Sequence, residues 1–329
     1  MPARPRPFSL QRRRILLALA ASALARPAWS QPAATPVTLI VPAAASGSAD
    51  VIARLLADAL ADVLEVPVRV ENIPGNGGVT GTLAIKNAPA DGSVIGLALS
   101  TPIVAGKLLS RSAQFNPSED FDWLGVIATY PNAVVLPSRS NYTTHESWLE
   151  AARKATPPMT YGSPGPGSPA HLAGAYLRYE QGAHLVHRAL ATQDEGYAML
   201  SDGRLDVLFD GLPNALKETA RSGHRIVAVT APGRVASLPD VPAYGDLYHQ
   251  SFVVWAGLIA PRRLPPATYS RLASAIGVLL GQPKHAEGLR ALGLTFLGLT
   301  GPAARAYIED DILRQARLIA RLNDEGVRQ

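Results

Sequence analysis

The sequence predicts an α/β protein of two lobes joined by a hinge, each lobe a mixed sheet flanked by helices. Three observations carry that prediction. Strand-like and helix-like segments alternate through two successive series, the pattern that builds sheets with crossover helices. Setting aside residues 1–30, the remaining 299 of 329 residues exceed the usual size of a single core. Two crossovers, near Tyr130-Pro131-Asn132 and near Gln250-Ser251, would form the hinge.

The first series opens with a strand over 37–41, Val37-Thr38-Leu39-Ile40-Val41, rich in β-branched residues. A helix over 49–64 follows, in which Val51, Ile52, Leu55, Leu56, Ala59, Leu60 and Val63 are spaced to make one core-facing stripe. A strand over 66–71, a helix over 80–87 and a strand over 94–99 continue the alternation. The second series begins with a strand over 133–136. A helix then runs to Lys154 from a Thr143/Glu146 capping box, and a strand over 159–162 leads to a helix opening at Ser168-Pro169. Strands over 185–187, 207–209 and 226–230 alternate with helices near 194–202 and over 214–221. After Pro239-Asp240-Val241-Pro242 the pattern changes to apolar strands over 252–255 and 258–260, then helices over 266–280, 284–292 and 302–325. A chain ending this way returns to pack on its first lobe. The lobes are therefore assigned to 31–131 with 252–329, and to 132–251.

Residues 1–30 carry Arg4, Arg6, Arg12, Arg13, Arg14 and Arg26 with no acidic residue, then an apolar run over 15–21, then Ala28-Trp29-Ser30. This is the pattern of a secretory signal peptide, 1–30, with an A-x-S cleavage site. Arg12-Arg13-Arg14 admits the twin-Arg route as well as the general one. The apolar run is too short for a bilayer, which takes about 20 residues. The formal charge of +5 belongs largely to this segment, since without its six arginines 25 basic residues face 26 acidic ones. No basic footprint for nucleic acid remains. The absence of Cys excludes disulfides and thiolate metal sites, and the seven histidines lack ligand spacing, so neither metal nor cofactor is expected.

Four loops fall at strand ends, where open α/β sheets place ligands. The first, 42–50, contains Ala44, Ser46, Gly47, Ser48 and Asp50 and runs directly into a helix. The first turn of a helix leaves N–H groups unpartnered at the positive end of the macrodipole, so such a loop holds an anion without Lys or Arg. The same residues serve equally as a plain cap, with Ser48 as N-cap. The second loop, 72–81, brings Gly77 and Gly78 to another helix start without dinucleotide or P-loop spacing. The third is Ser100-Thr101, whose hydroxyls would face a cleft. The fourth, 161–171, holds Ser163, Gly167, Ser168 and His171, with Ser168 as N-cap and Pro169 at the first helical position. It forms a second anion site from the other lobe. Asn132 lies at the first crossover, and Asp210 either accepts from a ligand donor or caps the next helix. His184 and His187 fall on opposite faces of their strand. A hydrolase pairing Ser163 or Ser168 with His171 is an alternative, although G-x-S-x-G and an orienting third group are absent.

The motifs form an ordered set. Val41-Pro42 through Gly47-Ser48-Ala49-Asp50 matches V-P-[FA]-x-x-G-G-x-x-D, and Glu71-Asn72 through Pro74-Gly75 and Gly77-Gly78 matches E-N-x-P-G-x-G-G. Ala88-Pro89 with Asp91-Gly92 matches A-x-P-D-G with an insertion. Tyr161-Gly162-Ser163 with Gly165, Gly167-Ser168 and His171-Leu172-Ala173 matches Y-G-S-x-G-x-G-S-x-x-H-L-A, and Leu238-Pro239-Asp240-Val241-Pro242 matches L-P-D-V-P. Across nearly all of the mature chain the sequence resembles the Bug-type periplasmic receptors, the substrate-binding components of tripartite tricarboxylate transporters. The resemblance implies a periplasmic-binding-protein-like fold and a periplasmic location. It also implies hinge closure on a small carboxylate held by backbone amides, hydroxyls and water, with no catalysis. The implied partners are that ligand and the permease subunits of the transporter, with a sensor kinase as the alternative; the hinge argues for a monomer. Departures occur at Ala43, Ser46 and Ile73. The largest is 186–192, where Val186-His187-Arg188-Ala189-Leu190-Ala191-Thr192 replaces H-V-P-Y-[KR]-G. That departure leaves the loop's ligand contacts unassigned; Arg188 either supplies a charge that the usual motif places three residues later or faces solvent, the reading favoured here.

Overall fold

The computed structural model describes residues 35–324; the expected signal peptide, 1–30, lies outside them. Strand β1, Val37–Val41, pairs in parallel with β2, Val68–Asn72, and with β3, Val94–Leu99; in register, Leu39 lies opposite both Val70 and Ile95. The crossovers are helix α1, Ser48–Leu64, and helix α2, Val79–Asn87. Two antiparallel strands complete this first sheet beyond β3. They are β9, Val253–Pro261, and β4, Phe121–Leu136, with β10, Thr295–Leu299, on the far side of β4.

Strand β4 is longer than the sequence suggests. The expectation of a strand beginning at 133 is corrected, because all sixteen residues from Phe121 are extended, Pro131 included. A proline lacks the N–H a ladder needs, yet Pro131 sits where β4 leaves one sheet for the other. Up to Pro131 the strand pairs with β9; from Asn132 it pairs with β7, Val207–Gly211, and β8, Arg225–Val229. The second sheet continues from β7 to β5, Met159–Ser163, and to the edge strand β6, Leu185–Ala189.

Each sheet is covered on both faces, as strand alternation requires. In the first, Leu39 and Val41 pack with Ile52, Leu56 and Leu60 of α1 and with Leu272 and Ile276 of α8, Pro266–Gly281, whereas Ile40 packs with Val79 and Ile85 of α2 on the other face. In the second, Val134 and Phe209 face Trp148 of α3, His145–Lys154, and Leu172 of α4, Pro169–Glu180. Val135 and Leu208 face Met199 of α5, Gln193–Asp202, and Ala215 of α6, Leu212–Ser222. A short helix α7, Tyr244–Tyr248, precedes β9, and α9, Pro283–Ala291, precedes β10. The last helix, α10, Gly301–Asp324, spans both lobes. Ala304 and Ile308 pack on the first sheet and Ile319 joins the second lobe's core.

Local corrections follow the same logic. The α3 capping box forms at Thr144 and Ser147 rather than at Thr143 and Glu146, with the Ser147 N–H donating to Thr144 Oγ1 at 3.2 Å. The two apolar strands expected over 252–260 are one. Beyond β3 the chain does not loop but enters a π-helical turn, Thr101–Gly106, and one further turn to Leu109. No helix among the described residues is long and apolar enough to cross a membrane.

Candidate functional site

A cavity of about 590 Å³ lies against the face of β4 and β9 from which Tyr130, Asn132 and Val254 project. Its walls are the turns that leave the C-terminal ends of β1, β2, β3, β5, β6 and β7. Most of these turns lead into a helix, so the N-termini of α1, α2, α4, α5 and α6 converge on it, each with first-turn N–H groups that lack intrahelical partners. Among the described residues no Lys, Arg or His lines the wall, and Asp210 is its one carboxyl group. Positive potential therefore comes from backbone dipoles rather than from side-chain cations.

From the first lobe the cavity gathers Ala44, Gly47, Ser48, Gly77, Gly78 and Thr101. Ser46 and Asp50 stand outside the wall and shape its loop. Ser46, at φ 70, donates its N–H to Asp50 Oδ2 at 3.1 Å, and Arg54 pairs with the same carboxylate at 2.9 Å. Burial alone would raise the Asp50 carboxyl; the hydrogen bonds from Arg54, Ser46 and Asn72 outweigh it and hold the group below its ordinary value. Ser100, expected to face the cleft, is fully buried with no hydrogen-bond partner for its hydroxyl. The chain turns helical immediately after it, which leaves Thr101 alone at the wall.

From the second lobe come Asn132, Ser168 and Asp210. Ser168 caps α4: its hydroxyl accepts from the His171 N–H at 3.1 Å and donates to the Gly165 carbonyl at 2.7 Å. Ser48 is committed in the same way, donating to the Gly211 carbonyl and accepting from the Asn214 N–H. Neither serine keeps a hydroxyl proton for a ligand, so the donors left at the wall are backbone N–H groups and the side-chain donors of Thr101, Tyr130, Thr192 and Gln193.

Ser163, Gly167 and His171 lie behind the wall. The Gly167 N–H donates to His171 Nδ1 at 2.9 Å, which places the ring proton on Nε2. Ser163 Oγ bonds to His187 Nε2 at 2.7 Å, not to His171, and accepts from the Gly165 N–H. The Ser–His171 side-chain pairing that the hydrolase alternative requires is thus absent among the described residues. The His187 ring packs against Tyr161 and His171, and no carboxylate partner that could orient it as a base is seen among the described residues. Burial drives His171 to about 4, and burial with the neighbouring His171 drives His187 to about 3. Both stay neutral at physiological pH.

Asp210 resolves its two sequence readings in favour of an internal role. Its Oδ2 accepts from Tyr197 Oη at 3.0 Å and from Asn214 Nδ2, in the first turn of α6, at 2.7 Å. Complete burial raises the carboxyl to about 7 against the lowering effect of those bonds.

Sequence reasoning missed the contribution of 190–193. Leu190, Ala191, Thr192 and Gln193 all line the cavity. Thr192 caps α5 by accepting from the Glu195 N–H, while Glu195 accepts from the Ala191 N–H at 3.1 Å. The Thr-x-x-Glu spacing was the available signal. Gln193 presents a buried Oε1 with no partner. Arg188 is exposed, as expected.

Among known proteins, residues 52–324 match a family model described as the tripartite tricarboxylate transporter family receptor. Protein BugT of Bordetella pertussis is 28% identical over 290 residues, covering 87% of this chain and 89% of BugT. The solved structure of the periplasmic binding protein BugD superposes with a TM-score of 0.81 at 25% identity, over 88% of this chain and 97% of that one. A structure of R. palustris Rpa4515 with adipate superposes with a TM-score of 0.81 at 24% identity, over 88% of this chain and 98% of its own. The fold is that of these periplasmic binding proteins.

Proposed function

This chain belongs to the tripartite tricarboxylate transporter receptor family, a family of binding receptors rather than enzymes, and we propose that it captures a small organic acid between its lobes. The protein is exported to the periplasm, closes about the strands β4 and β9, and hands the acid to the family's membrane permease. The single observation that carries the proposal is the convergence of five helix N-termini on a cavity that no basic side chain lines among the described residues. Such a site selects a carboxylate by N–H geometry and excludes a cation by potential. The adipate named with the Rpa4515 structure is a ligand of that chemistry.

Closure is supported by a contact between the lobes behind the cavity wall. Gly167, in the second lobe, sits at φ 75 so close to the first-lobe turn that an added Cβ would fall 2.9 Å from Ala105 Cβ and press on Leu109. The lobes meet there. The test is calorimetric titration of residues 31–329 with a panel of aliphatic and aromatic carboxylic acids and amino acids, after unfolding and refolding to remove any copurified ligand. Reversible 1:1 binding of one acid, without its conversion, is the expected result; turnover of the acid, or binding of neutral analogues as tightly as acids, would count against the proposal.

A further inference from the structure

A second cavity, of about 780 Å³, lies directly behind the first. Thr129 and Pro131 of β4 and Val253 of β9 form its floor, and their chain neighbours Tyr130, Asn132 and Val254 face the front cavity. Successive residues of a strand point to opposite faces, so the same two strands separate the cavities. The rear walls come from both lobes: the second-lobe loop 231–236, and on the other side α9, β10 and α10.

The rear cavity has the charge that the front lacks. Arg234, Arg290 and Arg314 line it together with Asp310 and Asp311. Asp311 is already committed. It accepts from Trp255 Nε1 at 2.7 Å and from Gln315 Nε2 at 2.6 Å, and it pairs with Arg314. Arg234 has only a 3.9 Å contact with Asp246 and a bond to the Pro239 carbonyl, and no partner is seen for the Arg290 guanidinium among the described residues. Arg234 and Arg290, one on each lobe, thus line a common cavity, Arg234 keeping one guanidinium nitrogen without a partner beyond its bond to Pro239 and its contact with Asp246, and Asp310 is the lining acid for which no partner is seen among the described residues.

We propose that the rear cavity is a second ligand site, for a multivalent oxyanion bridging Arg234 and Arg290, and that its occupation favours closure of the front cavity. Planar guanidinium forks match carboxylate and phosphate oxygens, which sets the ligand class. The coupling rests on the hinge reading given above: rotation about β4 and β9 that opens the front narrows the rear, so a ligand sized to the rear cavity as it stands binds the front-closed form. Linkage is reciprocal, and the front acid must tighten rear binding by the same factor.

The probe is inorganic pyrophosphate, titrated by calorimetry at constant ionic strength into the wild type, Arg290→Gln, Arg234→Gln and the front-cavity variant Gln193→Glu. Saturable binding is expected in the wild type and in Gln193→Glu, with a loss of tenfold or more in either arginine variant. The front acid, titrated with and without saturating pyrophosphate, should bind about fivefold more tightly with it, near the lower end of common couplings. Pyrophosphate binding that is absent throughout, or that disappears in Gln193→Glu while surviving in Arg290→Gln, overturns the site. Intact rear binding with an unchanged front affinity overturns the coupling. If no acid binds the front at all, the receptor reading fails by itself, and the arginine dependence of pyrophosphate binding still decides the rear site.

Discussion

Ser48, at the start of α1, donates its hydroxyl to the carbonyl of Gly211, 163 residues away at the start of α6, over 3.0 Å. The same oxygen accepts from the Asn214 N–H at 3.2 Å. Two helix N-termini from different lobes are thereby joined at the base of the candidate site. Gly211 has no room for a side chain there, since a Cβ would lie 2.8 Å from Ser48 Cβ and 2.9 Å from the Tyr130 ring.

Replacing Ser48 by Ala removes both bonds and leaves a buried carbonyl and a buried N–H unmatched. The expected cost is about 1–3 kcal/mol of stability. Urea denaturation of the ligand-free protein reads it; an unchanged midpoint would show that the link contributes nothing.

Gly167→Val should weaken acid binding by tenfold or more, because the new side chain meets Ala105 and Leu109 where the lobes touch. Leu109 is 43% exposed and can be shortened without opening the core. The double variant Gly167→Val/Leu109→Ala should recover part of the loss. Equal affinities for wild type and Gly167→Val would refute closure through this contact.

Asp210 makes binding and stability depend on pH. Its folded-state value of about 7 lies above the ordinary 3.8, so its contribution to stability is complete below 3.8 and is lost as pH rises toward 7, where the folded carboxyl also ionises. An ionised Asp210 also repels a bound carboxylate. Affinity for the acid should therefore fall as pH rises through 7, and Asp210→Asn should flatten that profile. A slope that persists in Asp210→Asn assigns the titration to another group.

Gln193→Glu places a carboxylate at the N-terminus of α5, inside the cavity wall, where the dipole favours it. It should abolish acid binding, whereas Gln193→Ala removes an amide whose Oε1 has no partner and introduces no charge, and should change affinity modestly. The idea fails if both variants bind alike.

His171 holds the loop before α4, since its Nδ1 accepts from the Gly167 N–H. Asn offers an acceptor near the same place and Ala does not. Affinity should survive His171→Asn better than His171→Ala, and neither variant should change the pH profile, because burial keeps the ring neutral down to about pH 4. Equal losses in the two variants would remove the loop-positioning role.

The sequence by itself determined the alternation of strands and helices and the sites of the helix starts. Each of these depends on residues within a few positions of one another: the stripe of α1, the Ser168-Pro169 start of α4, the β-branched run of β1. The small residues of 42–50 and 161–171 likewise marked the loops that approach the cavity, because a backbone N–H is accessible only where side chains are short. Tertiary structure decided what those loops do with their side chains. Ser48 and Ser168 could both be read as ligand donors, but their hydroxyls donate to the carbonyls of Gly211 and Gly165. Ser163 took its histidine from a neighbouring strand rather than from the adjacent helix. The run of β4 through Pro131, the entry of 190–193 into the wall and the pairing of two cavities across one pair of strands were also settled by packing between segments far apart in sequence. Local propensity acts over one or two turns of chain, whereas a hydroxyl proton goes to whichever acceptor the folded chain brings within 3 Å, and that acceptor belongs to another element.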